Sequence, residues 1–255
     1  MKITFLGTGC AIPTLEKNNT SFLIQSEENI LVDCPPCVYE KIIEYLGEDS
    51  LPDKIVITHS HVDHITGLPS LLEIMRLKKW QKRLDIYISG GAFDIVLEML
   101  KLHKVINREE CFPIKLHSIP MKKDQLVFST EEFKVFSNPV IHSVPNIALK
   151  FVEEDAKACY SSDTERCEDL DTFAYGCDVL IHEAAYLLKN KKKLPGHSSV
   201  DDSAICSLES GVKKLYIVHV TETVIKDMDA FSKEVIDSGY QGEYSVPEDG
   251  ETIEI

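Results

Sequence analysis

One short segment constrains this chain more than any other: the heptad T-H-S-H-V-D-H at positions 58–64, which directly follows an apolar run typical of a buried strand. Two side chains at i and i+2 cannot share one ion on a helix, whereas a loop that leaves a strand can fold both around it. We therefore predict that His59 and His61 bind one metal ion. Asp63 and His64 would then turn toward a second. The alternative is a polar loop at a strand end without a ligand.

Three further ligand-type residues follow predicted strands later in the chain: His142, Asp163 and His219. The tips of several strands can converge on one cleft. A lone histidine after a strand is usually an ordinary loop residue, so each of the three is a weak signal by itself. Together with the heptad, however, they make four predicted strands that are each followed by ligand-type residues. This recurrence predicts one shared metal site.

The chain as a whole predicts one α/β domain, residues 1–255, in which strands are mixed with helices. Its length and its 44% apolar content are enough for a sizeable core. We find no internal repeat, low-complexity tract or linker. Predicted strands lie near residues 2–6, 20–25, 29–33, 54–58, 84–88, 112–116, 125–128, 133–138, 146–152, 157–160, 178–182, 214–219 and 251–255, and predicted helices near 37–46, 64–79, 92–104 and 199–210.

Several short motifs accompany the heptad. They are F-L-G-T-G at 5–9, P-T at 13–14, K-N-N-T-S at 17–21, L-V-D-C at 31–34, Y-S-S-D-T at 160–164, H-E-A at 182–184 and G-H-S-S at 196–199. With them the sequence resembles, over nearly its whole length, the metallo-β-lactamase superfamily, and within it the branch of ribonuclease Z and phosphodiesterases. The resemblance implies an αββα sandwich with a two-metal site on one edge. It implies His59, His61 and His142 on one metal, Asp63, His64 and His219 on the other, and Asp163 as the bridge.

The resemblance also implies a hydrolytic mechanism. Two divalent ions make hydroxide available near neutral pH, and the mixed nitrogen and oxygen ligands suit Zn²⁺ or Mn²⁺. Asp63 is the candidate for orienting the attacking water and accepting its proton. His197 is the candidate proton donor to the leaving group, with Glu183 holding its imidazole and His182 supporting the site without binding metal. The alternative for His197 is a polar residue beside the start of the helix near 199–210.

The substrate is indicated by what the chain lacks. Ribonuclease Z enzymes carry a long arm for tRNA between the strand near 146–152 and the Ser-Asp-Thr turn, and here only residues 153–159 separate that strand from Tyr160. V-T-E-T at 220–223 replaces the usual Phe-Ser-x-Arg-Tyr, which removes an arginine, and I-A-L at 147–149 stands where Gly-Tyr is common. We therefore predict a phosphodiesterase that acts on small or cyclic phosphodiesters or short nucleotides, without stable nucleic-acid binding.

Other functions stay open. A tRNA 3′-processing endonuclease could dispense with the arm if a partner supplied RNA binding. A carboxylic-ester or lactone hydrolase uses the same seven ligands, but Glu183 and His197 belong to the phosphodiesterase branch. A noncatalytic metal-binding scaffold is disfavoured because no ligand position is broken. An oxygen-reducing diiron protein is disfavoured because His61 stands where that group has glutamate.

Composition adds weaker expectations. The net charge of −15 repels a polyanion. No apolar stretch reaches the ~20 residues of a membrane-spanning helix, and the first residues resemble a strand rather than a leader. Eight scattered cysteines favour reduced thiols in the cytoplasm. The oligomeric state is left open, a homodimer included.

Three local features have ordinary interpretations beside functional ones. Cys34-Pro35-Pro36-Cys37 matches a redox or metal C-x-x-C, but a turn stiffened by proline is the simpler interpretation. Residues 189–193 include four lysines that could contact phosphate, although such a run is usually a solvated face. His103 and His117 match no motif of the family and are expected to be surface or core histidines.

Overall fold

Two mixed β-sheets form the centre of the computed structural model, which describes residues 1–106, 108, 111–190 and 195–255. Strands are numbered along the chain. The first sheet contains β1 (Lys2–Gly7), β2 (Ser21–Gln25), β3 (Asn29–Val32), β4 (Lys54–Ile57), β5 (Leu84–Ser89), β6 (Ile114–Ile119) and β14 (Thr252–Glu254), in the order β14-β1-β2-β3-β4-β5-β6. The second contains β7 (Gln125–Ser129), β8 (Lys134–Val140), β9 (Asn146–Val152), β10 (Lys157–Tyr160), β11 (Val179–Glu183), β12 (Lys214–Val218) and β13 (Glu243–Ser245), in the order β13-β12-β11-β10-β9-β8-β7.

Helices cover the outer faces of both sheets. On the first sheet lie α1 (Val38–Leu46), α3 (Leu68–Leu77) and α4 (Phe93–Leu102), and on the second lie α5 (Glu168–Ala174), α6 (Val200–Ser210) and α8 (Met228–Asp237). The short helices α2 (Val62–Ile65) and α7 (Glu222–Ile225) and single 3₁₀ turns at Glu48–Ser50 and Leu188–Asn190 connect these elements. The predicted αββα sandwich is confirmed. None of these helices is long and apolar enough to cross a membrane.

Strand β4 shows why the sequence gives this layering. Successive side chains of a strand point to opposite faces of its sheet. Ile55 and Ile57 pack into the cluster beneath the helices, whereas Val56 packs into the cluster between the sheets. Between the sheets, the rings of Phe22 and Tyr160 meet edge to face with centroids 5.0 Å apart. A strand that is buried on both faces has to be apolar throughout, as the run before the heptad is.

The predicted helix near 64–79 is wrong in detail, because it is two helices that meet at Gly67. A Cβ at Gly67 would lie 1.9 Å from the carbonyl oxygen of Pro35. The Gly67 amide donates to the carbonyl of Cys34 at 2.9 Å, so the turn at 34–37 packs against this break. The side chain of Cys34 is buried and that of Cys37 is exposed. All eight cysteines are free, and this C-x-x-C forms no disulfide.

Several elements were not predicted from the sequence, namely α5, α7, α8 and β13. Helix α5 begins with acidic residues, and its buried side chains are confined to Leu170, Phe173 and Ala174. So short an apolar stripe gives little periodicity in the sequence. The helix forms because these three residues complete the apolar layer over the second sheet.

Candidate metal centre

The heptad leaves the end of β4 and wraps around one point. His59 is fully buried two residues after the end of the strand, and His61 is the residue before α2. Asp63 and His64 lie within α2 and are buried. The sequence placed His64 at the start of a long helix, whereas it lies inside this single short turn. The turn is what directs four ligand-type side chains of one heptad to the same place.

Strands of the second sheet bring the other predicted ligands to the same end of the sandwich. His142 follows β8, Asp163 follows β10 and His219 follows β12. Because β10, β11 and β12 run parallel, their carboxyl ends meet at one edge. The structure therefore brings together all seven residues that the sequence singled out as metal ligands.

The Asp163 carboxylate lies at the centre of this cluster. Its Oδ2 atom is 3.7 Å from Nε2 of His59, 3.5 Å from Nε2 of His64, 3.9 Å from Nε2 of His142 and 3.2 Å from Nε2 of His219. We call His59, His61 and His142 the first ligand set, and Asp63, His64 and His219 the second ligand set. A carboxylate in contact with both sets has the position that a bridging ligand requires.

Each set is also close internally. Nδ1 of His61 lies 3.0 Å from Nε2 of His142 in the first set. In the second set, Oδ2 of Asp63 lies 3.4 Å from Nε2 of His64 and 3.6 Å from Nε2 of His219. Ligand atoms around a tetrahedral zinc ion with bonds near 2.05 Å lie about 3.3 Å from one another. The spacings thus suit two metal ions.

Polar atoms without partners support this fit. Among the described residues, Nε2 of His59, His64 and His219 and Oδ1 of Asp163 are buried without a hydrogen bond. A buried polar atom without a partner costs free energy of about 1–3 kcal/mol. Several such atoms in one cluster indicate a group that satisfies them together, and a divalent cation fits a set of imidazoles and carboxylates.

Asp33 is a functional residue that the sequence analysis missed. It is fully buried after β3, with a positive φ of 58°. Its Oδ2 atom lies 2.8 Å from Nδ1 of His64, and its Oδ1 atom accepts from the Thr58 amide at 2.8 Å. A carboxylate on the far ring nitrogen of a ligand histidine fixes which nitrogen faces the metal. The feature of the sequence that could have indicated this role is an acidic residue at the end of an apolar strand.

Backbone and hydroxyl groups orient the first ligand set in the same way. Nδ1 of His142 donates to the Gly196 carbonyl at 2.6 Å, and Nδ1 of His59 lies 3.0 Å from the Thr58 hydroxyl. Gly196 adopts a φ of 84°, and a Cβ there would lie 2.8 Å from Nδ1 of His142. Only glycine allows the loop before His197 to approach this ligand so closely.

Burial and charge set the protonation of the cluster. Burial lowers the pKa of His142, and it lowers the pKa of His59 well below its usual value, so both rings are neutral as metal ligands must be. Burial alone would raise the pKa of Asp163, but the charges of His219 and His64 lower it well below the usual range. His64 differs from these two histidines. Burial opposes its positive charge, yet the carboxylates of Asp163 and Asp33 raise its pKa well above the usual value in the absence of a metal ion.

His197 lies beside the cluster and is held by Glu183. Nδ1 of His197 is 2.8 Å from Oε1 of Glu183, which also accepts from the Thr164 amide at 2.9 Å. A ring nitrogen of His197 lies within 4.8 Å of the ligand atoms of Asp163 and His219. The helix that follows is capped by Ser199 rather than His197, so the helix start does not account for this imidazole.

Other residues noted in the sequence lie elsewhere. His182 is buried and uses Nδ1 to contact the Glu183 carbonyl, 2.7 Å away, and it belongs to none of the metal-binding groups among the described residues. His117 stacks on Tyr87 and contacts Asp85. Lys189 pairs with Asp227, whereas the rest of the lysine run, residues 191–193, lies outside the described residues.

Comparison with known proteins identifies the family. A family model described as anti-Pycsar protein Apyc1 matches residues 1–235. The chain belongs to this family. The Apyc1 match includes all seven ligand-type residues as well as Glu183 and His197, and it ends before the last two strands.

Individual relatives of this Apyc1 family member agree on the wider class. Ribonuclease Z of Methanococcus maripaludis is 28% identical over 292 positions, which cover 93% of this chain and 93% of the relative. The metallo-β-lactamase fold protein YhfI from Bacillus subtilis superposes with a TM-score of 0.81 at 21% identity, covering 99% of this chain and 98% of that one. The short form of human tRNase Z gives a TM-score of 0.81 at 24% identity, covering 100% and 99%.

These matches place the chain in the metallo-β-lactamase superfamily, in its ribonuclease Z-like branch, as a metal-dependent hydrolase. The resemblance seen in the sequence is confirmed. The alignment with the M. maripaludis enzyme is 292 positions long although it uses only 93% of this 255-residue chain. The relative therefore has a considerable number of residues for which this Apyc1 family member has no counterpart.

Proposed function

We propose that this protein is a phosphodiesterase that hydrolyses small or cyclic phosphodiesters or short nucleotides at a centre of two divalent metal ions, Zn²⁺ or Mn²⁺. The observation that carries the proposal is the His197–Glu183 pair beside the bridging carboxylate of Asp163. Hydrolysis of a phosphodiester expels an alkoxide, which needs a proton, and a held imidazole at the edge of the metal site can supply it.

Each residue of the centre has a defined task in this proposal. When bound, the two cations supply positive charge that lowers the pKa of water and offsets the charge of the phosphate. Asp63, on the second ligand set, accepts the proton of the attacking water. His197 donates a proton to the leaving oxygen, and Glu183 keeps the imidazole in place through the contact at 2.8 Å.

The turn between β9 and β10 supports a small substrate. Residues 153–156 close it as a tight hairpin, in which the Glu153 amide donates to the Ala156 carbonyl at 2.8 Å. No arm extends from this turn, and it carries Glu153, Glu154 and Asp155. Tight RNA binding needs several phosphate contacts from lysine and arginine. A small phosphodiester needs none, because two bound cations would supply the positive charge that holds its single phosphate.

A second candidate is a tRNA 3′-processing endonuclease. The names of the curated relatives favour it, since ribonuclease Z of M. maripaludis covers 93% of this chain. The same centre would serve this reaction, and a partner would have to supply the basic surface. Ester or lactone hydrolysis also expels an alkoxide that a held imidazole could protonate. The His197–Glu183 pair therefore does not separate this reaction from phosphodiester hydrolysis, and a direct assay has to.

A hydrolysis panel tests the proposal. Protein loaded with Zn²⁺ or Mn²⁺ is assayed with bis-p-nitrophenyl phosphate, a 3′,5′-cyclic nucleotide, a short dinucleotide and a lactone. We expect turnover of the phosphodiesters and none of the lactone, with a chelator abolishing activity. Turnover of the lactone alone, or no turnover of any phosphodiester by protein that holds its metals, would overturn it.

A further inference from the structure

His219 has a backbone conformation that its own side chain does not favour. Its φ is 56°, in the left-handed region, and the residue is buried. A residue other than glycine adopts this conformation at a conformational cost, and it persists only where the surroundings fix it. The imidazole is a predicted metal ligand, so whatever fixes this backbone also sets the second ligand set.

The loop between β1 and β2 provides that restraint. The amide of His219 donates to the hydroxyl of Thr20 at 3.1 Å. On the next residue, the Val220 amide donates to the Thr8 carbonyl at 3.2 Å, and the Cys10 amide donates to the Val220 carbonyl at 3.2 Å. Residues 8–20 therefore hold both sides of the left-handed turn.

The carboxylate of Asp249, from the segment before the last strand, secures this loop at two points. Its Oδ1 atom accepts from the Thr8 hydroxyl at 2.8 Å. Its Oδ2 atom accepts from the Asn18 amide at 2.6 Å and from the Asn18 side chain at 2.8 Å. Beside it, the buried Nζ of Lys17 donates to the Pro247 carbonyl at 2.7 Å. The two ends of the loop are thus tied to one carboxylate.

We infer that Asp249 is a positioning residue for the metal centre: it clamps the loop at 8–20, and the loop holds His219 in its left-handed conformation. The residue lies outside residues 1–235, which match the family model. The inference rests on the assignment of His219 as a metal ligand. It does not depend on which substrate the enzyme hydrolyses.

Cobalt titration of three single variants tests this role, with the absorption spectrum reporting each site. Asp249→Ala removes the clamp, and Asp249→Asn keeps its shape but loses one acceptor oxygen. Glu254→Gln, at an exposed position of β14, is the matched control. We expect Asp249→Ala to weaken one of the two sites by about 10–100-fold, the usual effect of losing support for a ligand, while the other site keeps its affinity. Asp249→Asn should give a smaller loss at the same site, and Glu254→Gln none.

A role in stability alone gives a different pattern. It would lower the melting temperature of the metal-free protein and leave both cobalt affinities unchanged, and that result would overturn the inference. Equal weakening of both sites would overturn it too. If Asp249→Ala does not fold, Asp249→Asn decides between the same outcomes.

Thr20→Val gives an independent test, because it removes the acceptor at the His219 amide directly. Combined with Asp249→Asn, it should weaken the same site by less than the product of the two single effects, since both act through one loop. Multiplicative effects would contradict the inference. Failure of the phosphodiesterase proposal would appear as absent turnover with both cobalt sites intact.

Discussion

At one end of the sandwich, imidazoles and carboxylates from both sheets converge, whereas the other end consists of hairpin turns that carry carboxylates and a few lysines. That opposite end forms a groove of about 970 Å³, lined among others by Glu27, Glu131, Glu132, Glu153, Glu154 and Asp155. Most of its acidic groups are exposed to solvent, where water satisfies them, and Glu153 pairs with the amino group of Met1. At the metal end, by contrast, Nε2 of His59, His64 and His219 is buried without a hydrogen bond among the described residues. Several unsatisfied buried atoms gathered in one cluster, rather than the volume or the charge of a groove, locate the chemistry.

The largest effect in this comparison is expected from Asp163→Ala. Removing the carboxylate that contacts both ligand sets should release both metal ions, about two per chain, and reduce hydrolysis to background. The matched substitution at the other end, Asp155→Ala, should change neither the metal content nor the rate of hydrolysis. Elemental analysis and turnover of bis-p-nitrophenyl phosphate measure this. Fully active protein with one ion per chain, or none, would exclude the two-metal account.

His197→Ala should separate proton donation from metal binding. The variant keeps its metal content, and kcat falls by about 10²–10⁴, the usual range for loss of a general acid. The loss should shrink when the leaving group is p-nitrophenolate, which needs little protonation. The control is His117→Ala, because His117 lies outside the metal centre. An equal loss for good and poor leaving groups would remove His197 from the acid role.

His182 shows that one unsatisfied atom does not by itself mark the metal site. Its Nε2 atom is buried without a partner, although the residue belongs to neither ligand set. Burial lowers its pKa to about 4. An unfolded histidine has a pKa near 6.5, so below that pH the unfolded chain takes up a proton that the folded chain refuses. The free energy of unfolding should therefore fall as the pH drops from about 6.5 to about 4, by up to about 3 kcal/mol, and this contribution should level off below.

Urea unfolding of metal-free protein between these pH values measures the contribution of His182. His182→Gln should lose this part of the pH dependence, and the control His103→Gln, at an exposed position, should retain it. An unchanged slope in His182→Gln would show that the buried imidazole is protonated in the folded state.

The smallest effect is expected at the acidic end. Glu131→Lys, Glu132→Lys and Glu154→Lys together should leave kcat/KM for small phosphodiesters within about twofold, because salt screens charges beyond ~8 Å at physiological ionic strength. The assay is the same hydrolysis measurement, with circular dichroism as the check on folding. A large loss of activity would mean that the two ends are coupled.

The resemblance of the sequence to the family implied the αββα layers, and the seven residues of the cluster could be singled out because each follows an apolar run typical of a strand. Strands β9 and β10 were predicted with their observed bounds, since apolar runs and turn residues define them. The contact of Asp33 with His64 could not be predicted, because it joins residues 31 positions apart through strand pairing. The break at Gly67 depends on the distant carbonyl of Pro35 in the same way. Contacts across elements are what a single sequence does not reveal.

A direct comparison of a 3′,5′-cyclic nucleotide with precursor tRNA, at about 0.15 M salt and without a partner protein, tests the central claim most directly. The account predicts measurable turnover of the cyclic nucleotide, with weak binding of tRNA that disappears as salt rises and little cleavage of it. Efficient cleavage of precursor tRNA at its 3′ processing site, with slower turnover of the small phosphodiester, would contradict the account and establish the ribonuclease Z function instead.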